Sequence, residues 1–163
     1  IGATLWTSLN NRNPLSMETA SRYMNDYNAI RDTVPSLYSG GRNTLQVETT
    51  VALHAIQSSY IETTLKDMGQ NMKIVVATHH LPSYRLIAPW FRKSGDRISM
   101  ELNHAYASDL DTILRDTPPN LRIHGHSHVA HDLFIENTRV VSNALGYPGS
   151  YVRGFNPDLR IEI

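Results

Sequence analysis

The sequence predicts an α/β domain, and three observations predict it. The largely β-branched run Lys73-Ile74-Val75-Val76-Ala77-Thr78 reads as a buried strand in the middle of a sheet. A shorter apolar run, Leu121-Arg122-Ile123, reads as another strand, and both runs end in histidines. Between Val47 and Met68, the apolar residues Leu53, Ile56, Tyr60, Ile61, Leu65 and Met68 recur at three- and four-residue steps, the period of an amphipathic helix.

In chain order, Ile1 to Trp6 reads as a core strand, so the chain looks N-terminally incomplete. Thr7 to Pro14 is polar and Asn-rich, a loop by composition. Ser16 is a candidate cap for a helix from Met17 to about Tyr27, with Glu18 near the positive end of its dipole. Tyr23, Tyr27 and Tyr38 read as packing residues, and Ser36 to Asn43 as a loop. Gly69-Gln70-Asn71 stops the long helix, from whose apolar stripe His54 is excluded.

Tyr84 to Ser99 has no clean period. A connection of that length in a compact domain suggests a lid or a substrate wall, with Arg85, Arg92 and Lys93 as solvated charges. A second helix runs from about Ile98 or Asn103 through Leu114, with a capping box at Ser108 to Asp111 if it begins there and with His104 structural. Asp132 to Ile135 and Thr138 to Ser142 flank Glu136-Asn137 as a tight hairpin. Asn143 to Pro148 reads as a turn and Leu159 to Ile163 as a closing strand. Residues 1–163 are one domain's worth of chain.

Composition narrows the function. Fifteen basic and fifteen acidic residues cancel, which argues against a general nucleic-acid binder, since phosphate contacts need clustered Lys and Arg. No apolar run approaches the ~20 residues of a membrane span. Cysteine is absent, which removes thiolate metal sites and points to a cytoplasmic protein. Any metal must be held by His, Asp, Glu or Asn.

His124-Gly125-His126-Ser127-His128 supplies the strongest chemical signal. Neutral imidazole is the commonest side-chain metal ligand, and alternation at a strand end lets His126 and His128 point the same way. Gly125 lets the backbone pass close to an ion. His79-His80-Leu81-Pro82 leaves the other strand at its C-terminal edge, where open α/β sheets place ligands. His79 is the candidate ligand there, and His80 a substrate-facing or supporting group.

Val75 to Pro82, His124 to His128 and Val140-Val141-Ser142-Asn143-Ala144-Leu145-Gly146-Tyr147, in this order, resemble the calcineurin-like metallophosphoesterase family. The resemblance implies an α/β sandwich, two sheets flanked by helices, with two divalent ions (Mn, Fe, Zn or Co) at the strand ends. It implies that His79 and His126 ligate one ion and His128 the other, that His80 is catalytic, and that His124 and Asn143 stand behind the ligands. The substrate would be a phosphate mono- or diester, and nucleic acid would enter only as a nucleotide.

The family's earlier motifs are absent: an Asp-x-His pair, a Gly-Asp segment with the bridging Asp, and an Asn-His pair. Asn103-His104 matches the last but follows the His79 loop, in the wrong order. The expectation is therefore half a site, weak or inactive alone, completed by a missing N-terminal segment or a second chain. The alternative is an inactive remnant serving as a metal-binding or protein-interaction module. A mononuclear site with Asp132 as its acid ranks below both. Activity should fall as pH drops through ~6.5, because imidazolium cannot ligate.

Overall fold

The run of β-branched residues lies inside a sheet. The computed structural model describes residues 1–31, 44–68 and 72–163. Strand β1 (Gly2–Ala3) precedes a one-turn segment α1 (Leu9–Arg12) and the helices α2 (Pro14–Tyr23), α3 (Asp26–Ala29) and α4 (Val47–Asp67). Strand β2 (Val75–Thr78) leads to a 3-10 turn (Tyr84–Leu86) and to α5 (Pro89–Arg92), α6 (Arg97–Tyr106) and α7 (Asp111–Asp116). Then come β3 (Leu121–Ile123), the hairpin β4 (His131–Ile135) and β5 (Thr138–Ser142), and a ribbon of β6 (Gly146–Tyr147) and β7 (Ser150–Tyr151).

The protein is mixed α/β. Its five-stranded sheet has the order β1-β2-β3-β5-β4, parallel except for β4, and β6-β7 form a separate two-stranded ribbon. The second stacked sheet expected of a sandwich is not among the described residues. No helix among them is long and apolar enough to cross a membrane.

Register explains the burial. Val76, Arg122 and Val140 are in-register partners on neighbouring parallel strands and therefore share a face. Val76 packs with Leu5, Ile61 and Leu65 of the α4 layer and with Ile113 of α7; Val140 packs with Leu81, Leu86 and Leu114. Each such fully buried aliphatic side chain contributes about 1.5–3 kcal/mol. Ala77, on the opposite face, is exposed. So β2 is central, as the sequence predicts, but buried on one side only, because the helices cover one face.

Several local expectations are corrected. Asn13, not Ser16, caps α2: its side chain accepts from Leu15 N and Ser16 N, and α2 stops at Tyr23. Ser16 is buried and donates to Glu101 of α6 at 2.6 Å. The buried face of α4 is Val47, Thr50, Val51, His54, Ile61 and Leu65, whereas Ile56 and Tyr60 are exposed. Polar partners make that face possible: Thr50 Oγ1 lies 3.0 Å from Tyr27 OH, and His54 Nδ1 is 2.9 Å from Leu5 O. Tyr27 is thus a packing residue, as expected, while Tyr23 is exposed.

The second predicted helix is two, α6 and α7, and Ser108 makes no capping box; its Oγ accepts from Ser8 N at 3.0 Å. Thr7 to Pro14 contains α1, whose residues all have positive φ. Asn143 to Pro148 contains β6, and Leu159 to Ile163 forms no strand. The hairpin at Glu136-Asn137 stands as predicted, with Glu136 at φ 50°. The predicted loop at Ser36 to Asn43, Tyr38 and the helix stop at Gly69 to Asn71 lie outside the described residues.

Arg122 is the misfit. Its guanidinium is wholly buried, and among the described residues none of its three nitrogens has a hydrogen-bond partner. Burial pulls its pKa down to about 10, so it remains charged at neutral pH. An unpaired interior charge costs several kcal/mol, so Arg122→Met, which keeps the length without the charge, should stabilise the fold by about 1–4 kcal/mol. Urea unfolding checks this; a destabilised variant would show that the guanidinium has a partner.

Candidate functional site

All four parallel strands end at one edge of the sheet, and the loops leaving β1, β2 and β3 meet there. The β2 loop is tied down first. His79 N and His80 N both donate to Thr4 O, at 3.2 and 3.1 Å, and His80 Nδ1 lies 3.2 Å from the same carbonyl. Gly125 N donates to His79 O at 3.0 Å, stitching the β3 loop onto the β2 loop.

These ties bring together His79, His80 and His126. His79 Nε2 stands 3.1 Å from His126 Nδ1, and the rings of His80 and His126 are 4.2 Å apart. Trp6 packs on His80 with centroids 4.9 Å apart, and Tyr106 on His126 at 5.0 Å. His80 is only 2% exposed, which matches the supporting alternative of the two the sequence left open for it.

His128 does not join the trio. Strand β3 ends at Ile123, and both His126 and His128 sit in left-handed backbone, at φ 63° and 50°. The alternation expected of a strand is therefore lost, and His128 packs edge-on against Tyr147, centroids 4.7 Å apart. Gly125 is not forced to be glycine, since a Cβ there would meet His79 Nδ1 at an ordinary 3.5 Å. His124 is buried beneath the loop: its Nδ1 lies 3.0 Å from Gly125 O and its Nε2 2.9 Å from His131 Nε2. A proton on Nδ1 facing that carbonyl leaves Nε2 to accept from His131.

Asn143 spends its amide on Asn156, donating to its carbonyl at 2.7 Å and accepting from its N–H at 2.9 Å, so it anchors the C-terminal segment. Asp132, the acid considered for a mononuclear site, is held by Arg139 through contacts of 2.8 and 2.7 Å. Arg85 pairs with Asp111 at 3.2 Å and with Glu136. His104, as expected, is structural, 2.8 Å from Tyr84 OH.

Burial sets the electrostatics. It pushes His126 and His124 down to about 3, and His80 well below the usual imidazole range. His79 is also lowered by burial, against the opposing charge of Asp26. The loss of ligating imidazole expected near ~6.5 therefore moves to more acid pH. Sequence reading missed Trp6, Tyr106, His131 and Asp26; only Asp26 lay in a tract visibly ambiguous, 25–31, and the others needed the fold.

Comparison of this chain with protein-family models, with curated proteins and with solved structures finds no match.

The donors fit a metal ion in part. Two nitrogens bound to one ion at 2.0–2.1 Å stand about 3 Å apart, close to the His79–His126 separation. Both imidazoles are held neutral, the ligating form. The set is incomplete, however: among the described residues no group of three or more His, Asp or Glu is placed to hold an ion.

These shifts predict acid sensitivity. Each folded-state pKa is depressed, so between it and ~6.5 the unfolded chain binds more protons and stability falls as pH falls. The slope is up to about 1.4 kcal/mol per pH unit for each buried imidazole, and for His124 and His126 the window reaches down to about 3. Urea midpoints measured from pH 7 to pH 4 should drop steadily; constant midpoints would mean the imidazoles are solvated.

Proposed function

We propose that this chain carries part of a metal site that hydrolyses phosphate mono- or diesters, in the manner of the calcineurin-like metallophosphoesterases its motifs resemble. The observation that carries the reading is the 3.1 Å approach of His79 Nε2 to His126 Nδ1 at the C-terminal edge of a parallel sheet. His79 and His126 would hold one ion, and His128, in the same loop, is the donor assigned to a second. When bound, such ions polarise the phosphoryl group and lower the pKa of coordinated water.

The chain's own residues do the holding. His80, fixed by Thr4 O and Trp6, backs the His126 ring and is a positioning residue rather than a group that touches substrate. His124, locked to His131, sets the base of the loop. What the described residues do not bring to the pair is a bridging carboxylate. Unit charges 4 Å apart repel by about 4 kcal/mol at an effective dielectric of about 20, and divalent ions by about four times that, so neutral imidazoles alone do not hold two. Among the described carboxylates, it is Asp26 whose charge acts on His79.

One observation favours a second reading, a non-catalytic module that binds a single ion. It is the absence, among the described residues, of any third donor beside the pair.

The deciding experiment is hydrolysis of p-nitrophenyl phosphate and its bis-ester with Mn²⁺. Turnover should be slow, should vanish with chelator, and should fall at least about 100-fold in His126→Ala and in His79→Ala. Turnover indifferent to both substitutions would overturn the assignment. Mn²⁺ binding without turnover, lost in the same variants, would establish the second reading.

A further inference from the structure

A small cavity of about 210 Å³ opens beside the histidine loop, between Ile87, Trp90, Phe91, Tyr106, His128 and Val129. It lies within the long connection after β2. Trp90 and Phe91, both on α5, form one wall, with Trp90 73% exposed. Tyr106 forms another, and its ring contacts both Phe91 and His126, with centroids 5.1 and 5.0 Å apart. Tyr106 thus joins the cavity wall to the His79–His126 pair, and His128 borders the cavity directly.

Its chemistry excludes a charged occupant. No Asp, Glu, Lys or Arg lines it, so neither a phosphate nor a carboxylate would find a counter-charge there. The walls are ring faces, which favour a flat aromatic partner stacked or edge-on. Size narrows the choice: a cavity of about 150 Å³ admits a benzene ring, whereas sites for drug-sized ligands start at roughly 300 Å³. One ring fits here and a peptide segment does not.

We infer that this cavity receives the aromatic group of a phosphate ester whose phosphoryl end faces the histidines, so that the substrate class is an aryl phosphate. The charged end of that substrate rests on the hydrolase reading above; the ring pocket rests on the cavity itself. Trp90 is the specificity-determining residue, because it brings the largest ring to the lining. It also lines a second recess of about 450 Å³, bordered by Tyr151 and Arg153.

Calorimetric binding of phenyl phosphate, glycerol 2-phosphate, phosphocholine and adenosine monophosphate to the full chain with Mn²⁺ tests this without depending on turnover. Phenyl phosphate should bind about ten-fold more tightly than glycerol 2-phosphate, the scale of one aromatic stacking contact. Trp90→Ala should abolish that preference and leave glycerol 2-phosphate unchanged; Phe134→Ala, at a 70% exposed ring on β4, should alter neither. A nucleotide bound more tightly than the phenyl ester would overturn the aryl assignment, because its phosphate is carried on a sugar and its base has two rings. Equal affinities for the phenyl and glycerol esters, a preference that survives Trp90→Ala, or tightest binding of phosphocholine would each overturn the inference. Trp90-dependent binding without hydrolysis would sustain the pocket and defeat the hydrolase reading alone.

Discussion

The register of β2 against β3 is the constraint on which the site depends. Val76 opposite Arg122 and Ala77 opposite Ile123 set the two strands level, and the Gly125 N to His79 O bond carries that register past the ladder. His79 and His126 meet only because both loops leave the sheet at the same height. A slip of one residue would turn Val76 toward the open face and carry the histidines off with it. The same register places Arg122 among aliphatic neighbours, so the pairing that builds the site also buries an unpaired guanidinium. That charge adds to the burial that keeps His124 neutral.

The electrostatic design is a neutral cluster with its acids engaged elsewhere. Asp132 is occupied by Arg139, Asp116 by Arg115, Glu136 by Arg85, Glu18 by Arg22 and Glu62 by Lys66. Most of these pairs are exposed and contribute at most about 1 kcal/mol each. Asp26, which stands outside these pairs, is the carboxylate whose charge acts on His79. Burial is the largest influence on each imidazole, with neighbouring imidazoles and Arg122 adding to it, and it keeps them in the neutral form that can ligate. Imidazoles paired with carboxylates would hold their protons at higher pH.

How legible this was from sequence depends on whether the signal was local. The strands at Val75 and Leu121, the hairpin at Glu136 and the long helix from Val47 are written in side-chain type and period, and they appear where the pattern puts them. The face of the long helix is not. Thr50 and His54 are buried because Tyr27 and Leu5 satisfy them, and those partners are far away in the chain. Asn13 outcompetes Ser16 as a cap because Pro14 starts the helix three residues earlier than the apolar pattern suggests. At the site, the identity of the histidines was legible, but their directions were not. Those depend on φ at His126 and His128, which nothing in His-Gly-His-Ser-His discloses.

Those two backbone angles bear on function in their own right. A non-glycine residue in the left-handed region costs on the order of 1–3 kcal/mol, and glycine would occupy either position without that cost. The chain instead places its glycine at 125, where the backbone does not require it, and histidines at the two strained positions. At 126 the strain is held by the contact with His79 and by Tyr106, and at 128 by Tyr147. Neither ring contact alone offsets such a cost, since an aromatic pair contributes about 0.5–1.5 kcal/mol. The same left-handed backbone recurs at Leu5, Trp6, Leu9 to Arg12 and Glu136, so at 126 and 128 it is a directional constraint: it fixes where the two imidazoles point.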